Sequence, residues 1–380
     1  MNIAELLAGK RVCICGGPGG VGKTTTSAAI ALGMAAQGAK VAVVTIDPAK
    51  RLANALGLKE LGNEPRRVDP SRLSGAGEVN GELWAMMLDP KRTFDELIER
   101  IAPSVERAEE IKRNRVYSEL STAVSGSQEF TAIAKLYDLD RAGEFDLLVL
   151  DTPPSRNALD FLDAPGRLTA FLEGRALKTF IKPTGLGMRV LGRGASPLLG
   201  VVRRITGIDL LSDLSTFFGL LGGMTDDFSV RAAGVERMLR AETTSFIVVT
   251  SAQNDSIEET IWFGRTLESS GFPFAGAIVN RVHHDLLGDR DPEDVSAALE
   301  SGLGAELATR VAENLHDYHV LARRDERNVA RLTAEIGTRP LLLVPHLDDD
   351  VHDVEGLLRV HRYLFAPDDE RDQMLADVVA

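Results

Sequence analysis

The stretch Gly17-Pro18-Gly19-Gly20-Val21-Gly22-Lys23-Thr24-Thr25 carries the clearest chemical purpose in the chain. From Gly17 to Thr24 it fits G-x-x-x-x-G-K-[ST], and it stands between an apolar run and a helical period. Glycines let successive backbone N–H groups turn inward around phosphate oxygens, and a helix beginning there adds partial positive charge. In such a loop Lys23 reaches the β- and γ-phosphates and the Thr24 hydroxyl holds magnesium. Residues Gly17 to Thr25 are therefore expected to bind a nucleotide with magnesium, with Lys23 also acting in catalysis. Two carboxylates complete the constellation. Asp151 ends the apolar run Leu147-Leu148-Val149-Leu150 and is expected to hold the magnesium through a water. Asp47 follows Val43-Val44-Thr45-Ile46 and is expected to orient the attacking water in line with the γ-phosphate.

Short β-branched runs at Arg11–Cys15, Val41–Thr45, Leu83–Met87, Leu147–Leu150, Phe246–Thr250, Ala277–Val279 and Leu341–Val344 must position these groups. Most lack alternation, as strands covered on both faces do. Helical periods at Thr24–Gln37 and Ile257–Ser269 lie between them, which predicts a doubly wound, mostly parallel α/β fold. Residues 90–140 and 165–238 break the rhythm and read as an inserted helical subdomain. The core is then 1–89, 141–164 and 239–366, with an acidic tail over 367–380. Within 165–238, Met188, Leu191, Phe217, Phe218, Leu220, Leu221 and Met224 are either the subdomain's own core or a surface for a hydrophobic client.

The 380 residues, 44% apolar and 26% charged, suffice for one large domain or two. A net charge of −13 argues against a nucleic-acid partner. Cys13 and Cys15 are the two cysteines, too few for a disulfide framework or a four-cysteine zinc site. On one strand face they stand ~7 Å apart, which suits two reduced core thiols. No leader and no bilayer-length apolar run is evident, so the expected location is the cytoplasm or the membrane periphery. His283-His284-Asp285 reads as a polar loop rather than a metal site, and no N-K-x-D guanine motif is evident.

Together these motifs resemble the family of arsenite-pump and tail-anchored-protein targeting ATPases, a P-loop group related to the MinD and ParA ATPases, over nearly the whole chain. Asp47-Pro48-Ala49 is similar to its switch I and Asp151-Thr152-Pro153-Pro154 to its switch II. Ala277-Ile278-Val279-Asn280-Arg281 is similar to the strand end whose Asn280 reads adenine, and Val344-Pro345-His346 to the loop that lines the base pocket through Pro345. Gly126-Ser127-Gln128-Glu129 resembles a segment near the subunit interface. Residues 88–140 and 151–165 resemble actinobacterial members described as anion-transporting. The resemblance implies an ATP-hydrolysing dimer that opens and closes with nucleotide state, chaperoning or targeting hydrophobic clients, or alternatively energising a membrane transporter. A cytoskeletal-type positioning ATPase would need a basic surface or an amphipathic C-terminus, and the acidic residues 368–380 argue against it.

The departures are specific. Pro18 stands where the family has a second, signature lysine that crosses to the partner's nucleotide, and it has no donor. No Cys-x-x-Cys pair, no cysteine cluster and no second phosphate loop is present. The expected assembly is a homodimer, or a heterodimer with a paralogous ATPase that carries the lysine. Lys50-Arg51 is either a basic surface pair or the source of the missing charge, in cis or across the interface.

Overall fold

The computed structural model describes residues 1–47, 49–71, 79–115, 117–118, 127–152, 216–217, 219–221 and 224–377. Its strands are β1 (Val12–Gly16), β2 (Lys40–Thr45), β3 (Arg66–Arg67), β4 (Glu82–Met87), β5 (Leu147–Asp151), β6 (Thr244–Ser251), β7 (Phe274–Val282) and β8 (Leu341–Pro345). They form one eight-stranded sheet in the order β3-β4-β2-β5-β1-β6-β7-β8. Neighbours run parallel except the two-residue β3, which is antiparallel at the edge. Each apolar run expected as a strand is one, and β3 is the strand that the expectation omitted. Every residue of β1, β5 and β6 is buried, as unbroken apolar runs in a sheet covered on both faces must be. The chain thus has the α/β fold of a P-loop NTPase.

The described helices are α1 (Ile3–Leu6), α2 (Lys23–Ala36), α3 (Arg51–Ala55), α4 (Pro90–Ile101), α5 (Val105–Arg113), α6 (Ser127–Ala142), α7 (Thr225–Arg240), α8 (Asn254–Ser269), α9 (Pro292–Leu303), α10 (Ala305–Ile336), α11 (Val354–Phe365) and α12 (Asp368–Asp377). The chain divides into two compact units. One comprises Met1–Met87, Leu139–Ala158 and Leu239–Ala380; the other comprises Leu88–Asp138 and Leu159–Met238. In the first, Ala28, Ile30, Ala31 and Leu32 of α2 pack with Val41, Val43, Val149, Leu357 and Leu364 in one core. Cys13 and Cys15 are free thiols inside it.

Two further features complete this unit. Between β7 and β8 the chain forms a helical hairpin, α9 against the 32-residue α10, broken by Gly304 at φ 78°. Asp291 caps α9 by accepting from the Glu293 N–H at 2.8 Å, with Pro292 next. The acidic tail is the ordered helix α12 over most of its length, because Arg371 is buried and pairs with Asp368.

In the second unit, Leu97, Ile98, Ile111, Tyr117 and Ala134 form a core with Phe217, Leu221 and Met224. These last three side chains are buried, and Leu220 packs against them. They belong to the unit's own core. Met188, Leu191 and Phe218 lie outside the described residues, as do Pro48, Pro153, Pro154 and Gly126, and no helix among the described residues is long and apolar enough to cross a membrane.

Candidate functional site

A parallel sheet brings the C-terminal ends of its strands to one edge, and the groups expected to do chemistry gather there. β1 ends at Gly16 and α2 begins at Lys23, so the loop joins strand to helix directly. Gly17 has φ 141°, and a Cβ on it would lie 2.0 Å from the Val249 carbonyl oxygen, so only glycine lets the loop cross β6 this closely. Gly22 has φ 94°, and a Cβ there would meet Asn280 Nδ2 at 2.3 Å. Lys23 is 6% exposed, and its ammonium donates to the carbonyls of Gly17 at 2.9 Å and Pro18 at 2.6 Å. Burial lowers its pKa, with the Asp151 charge opposing.

Asp151 is the buried centre of the site. β5 lies between β1 and β2, and the register sets Asp151 beside Cys15 on one side and Thr45 on the other. Its Oδ2 accepts from the hydroxyls of Thr24 and Thr45, each at 2.8 Å. Its Oδ1 is buried with no hydrogen-bond partner among the described residues. Burial raises its pKa to about 6, against the Thr24 and Thr45 hydroxyls and the Lys23 charge. A buried carboxylate with one oxygen loaded and the other unused, beside a threonine hydroxyl, is a donor set that fits a hydrated magnesium ion. Thr152 fixes the next turn by donating to the Cys15 carbonyl at 2.8 Å.

Asp47 stands just beyond β2, its backbone N–H on Thr45 Oγ1 at 3.1 Å. Oδ1 accepts from the Ala49 N–H and Oδ2 from Arg51 Nη1, each at 2.9 Å. At the other end, Asn280 donates from Nδ2 to the Val21 carbonyl at 2.9 Å and accepts the Arg281 N–H at 3.0 Å. The His346 ring stacks on His283, centroids 5.1 Å apart. His283 is in turn held through Nδ1 by the buried Asp325 at 2.7 Å.

These elements enclose a cavity of about 700 Å³, within the range for a nucleotide-sized ligand. Gly19, Gly20, Gly22, Lys23, Thr24, Thr25, Asp47, Asn280 and Pro345 line it. Gly17, Pro18, Val21 and Asp151 do not: Gly17 backs onto Val249, Val21 is in the core, the loop carbonyls hold Asn280 and Lys23, and Asp151 lies behind the Thr24 hydroxyl. His283 pairs with the buried Asp325. Sequence reasoning missed Thr45, whose signal was a lone hydroxyl ending an apolar strand. It also missed Asp325, a mid-helix carboxylate that carries no local signal.

The comparisons with known proteins agree with this architecture. An ATPase get3 of Schizosaccharomyces pombe is 26% identical over 346 residues, covering 90% of this chain and 91% of that protein. One of Schizosaccharomyces japonicus is 26% identical over 321 residues, 84% of this chain and 88% of its own length. An Aquifex aeolicus protein named for arsenical pump-driving ATPase activity is 26% identical over 256 residues, 66% of this chain and 58% of that one. The family described as anion-transporting ATPase matches residues 10–323, and on that match, carried by this loop and this sheet, the chain belongs to the anion-transporting ATPase family.

Proposed function

We propose that this ATPase is a magnesium-dependent switch that hydrolyses ATP in the cavity at the ends of β1, β2 and β5. The observation that carries the reading is the Asp151 junction, where two threonine hydroxyls load one carboxylate oxygen and leave the other buried and unused. Thr24 and, through a water, Asp151 would hold the magnesium, which would supply positive charge against the phosphate oxygens. Lys23 leaves the Gly17 and Pro18 carbonyls for those oxygens, and its buried setting makes the charge count for more than it would in water. Asp47 accepts from the attacking water and aligns it with the γ-phosphate, giving ADP and phosphate. Asn280 and Pro345 border the base, and Asn280 ties that border to the phosphate loop through Val21.

The switch acts as a dimer in the cytoplasm or at the membrane periphery, either of this chain with itself or with a paralogous ATPase that supplies a lysine where Pro18 has none. Its work is to chaperone or target hydrophobic or membrane-protein clients, a reading supported by the similarity to proteins named ATPase get3 over most of both chains. A second reading, an ATPase that energises a membrane transporter, draws on the Aquifex relative's name. Both cysteines are buried in β1, so metalloid capture by surface thiols has no support. Hydrolysis by the purified chain, with mass read by light scattering, tests the switch. Turnover that accompanies an ATP-dependent dimer and disappears in Asp47→Asn supports it; turnover by a monomer contradicts it. Binding of a hydrophobic helical peptide supports the client reading, and a stable complex with an integral membrane protein supports the transporter reading.

A further inference from the structure

We propose that Arg51 is an exchangeable latch on Asp47: its guanidinium holds the Asp47 carboxylate in this structure and moves to the terminal phosphate oxygens of ATP, freeing Asp47 for the attacking water. The inference rests on the reading that the cavity binds ATP.

Three observations carry it. The first is the inventory of charge. Lys23, Arg51 and Arg281 are the lysine and arginine side chains that line the cavity among the described residues. Lys23 is sequestered on loop carbonyls, and Arg281 faces Asp350 at 3.9 Å near the end of β7. A triphosphate carries several negative charges, and the loop offers one ammonium, because Pro18 has neither a charged side chain nor an N–H. Arg51 reaches the same cavity, and its side chain is 67% exposed.

The second is the form of the Arg51–Asp47 contact. It is a single 2.9 Å hydrogen bond between residues four apart, its arginine side chain 67% exposed and its aspartate side chain 16%. Such pairs are weak, whereas a guanidinium fork on a phosphate makes two parallel charge-assisted bonds. Exchange toward the phosphate is therefore downhill once ATP is in the cavity. ADP lacks the terminal phosphate, so with ADP the guanidinium stays on Asp47.

The third is backbone strain at the hinge. Lys50, between the Asp47 turn and α3, has φ 56°, a left-handed conformation that L-residues with a side chain adopt at a cost. Both Asp47 oxygens hold that turn, one through the Ala49 N–H and one through Arg51. Release of Arg51 lets Lys50 leave the left-handed region, so the segment has two arrangements that the phosphate selects between. Arg51 thereby makes a water-orienting Asp47 conditional on a terminal phosphate.

The test compares wild type, Arg51→Ala and Arg51→Lys as full chains. It measures affinity for fluorescent Mg·ATP and Mg·ADP analogues, steady-state turnover and thermal melting. The latch predicts that Arg51→Ala melts like wild type and binds ADP within about twofold of it. The same variant should lose about tenfold in ATP affinity and about 100-fold in turnover, the range for one charged donor at a phosphoryl-transfer site. Arg51→Lys should recover part of the ATP preference, because it keeps the charge without the fork. An Arg51→Ala protein that keeps the wild-type ATP-to-ADP ratio and turnover, or that turns over faster, overturns the latch. Restoration of turnover on mixing Arg51→Ala with Lys23→Ala chains also overturns it, since the arginine would then act across an interface. Failure of the underlying reading looks different: the wild type itself would bind neither nucleotide, or Lys23→Ala would bind both as tightly as wild type.

Discussion

At the ends of β1, β2 and β5 the polar groups are buried and tied to one another, whereas the loop beyond β8 that borders the cavity stands in solvent, with Asn280 of β7 buried against the phosphate loop. Asp151 is 1% and Lys23 6% exposed, while the side chains of Asp350 and His352 are 75% and 79% exposed. The buried end has hydroxyls and a lysine already in place in a low-dielectric setting, where preorganised charge acts most strongly on a transition state. The open end can grip a base and contribute affinity, but water screens its charges. Substitutions at the buried end should therefore change turnover, and those at the open end should change binding.

The largest expected effect is at Lys23. Lys23→Ala should lower turnover at least about 100-fold, measured as phosphate release at saturating ATP. Asp151→Asn should lower turnover by a similar order, and it sharpens the comparison through stability. The Asp151 pKa is raised by burial to about 6 from 3.8, so between those values the folded chain binds more protons than the unfolded one, and stability falls as pH rises. Above pH 6 the ionised carboxylate costs on the order of 3 kcal/mol in the absence of a cation. Asp151→Asn should then melt higher than wild type at pH 8 without magnesium, and that advantage should vanish by pH 4. An Asp151→Asn protein that melts lower at pH 8 would show that the carboxylate is satisfied by the protein alone.

Gly22→Ala should cost about 2–3 kcal/mol in denaturant unfolding, because an L-residue is strained at φ 94° and its Cβ displaces the Asn280 amide. Asn280→Ala should weaken ATP binding about fivefold to tenfold with turnover at saturation nearly kept. A loss of turnover as large as that of Lys23→Ala would break the distinction between the two ends. Arg281→Ala, with its exposed partner Asp350 at 3.9 Å, should change ATP affinity less than twofold.

The sequence made the buried end legible because that chemistry is local. Glycines, lysine and threonine must follow one another to wrap a phosphate, and Asp47 and Asp151 each announce themselves as a carboxylate ending an apolar strand. Thr45 was harder to read, since its role comes from β2 lying beside β5, a register that no short window contains. The α9–α10 hairpin carries a start signal in Asp291 and Pro292. Asp325 meets His283 only because α10 brings residues 42 positions apart together. For the segment 165–238, apolar periodicity could not separate core from exposed surface; burial assigns Phe217, Leu221 and Met224 to the core.

The central claim is that the Asp151 junction is the magnesium-holding end of an ATP-hydrolysing site. A magnesium titration of ATP hydrolysis, comparing wild type with Asp151→Asn, tests it most directly. The account predicts that the wild type hydrolyses ATP only with magnesium and that Asp151→Asn needs at least about tenfold more of it for a much lower maximal rate. Identical magnesium dependence and rate in the two proteins would contradict it.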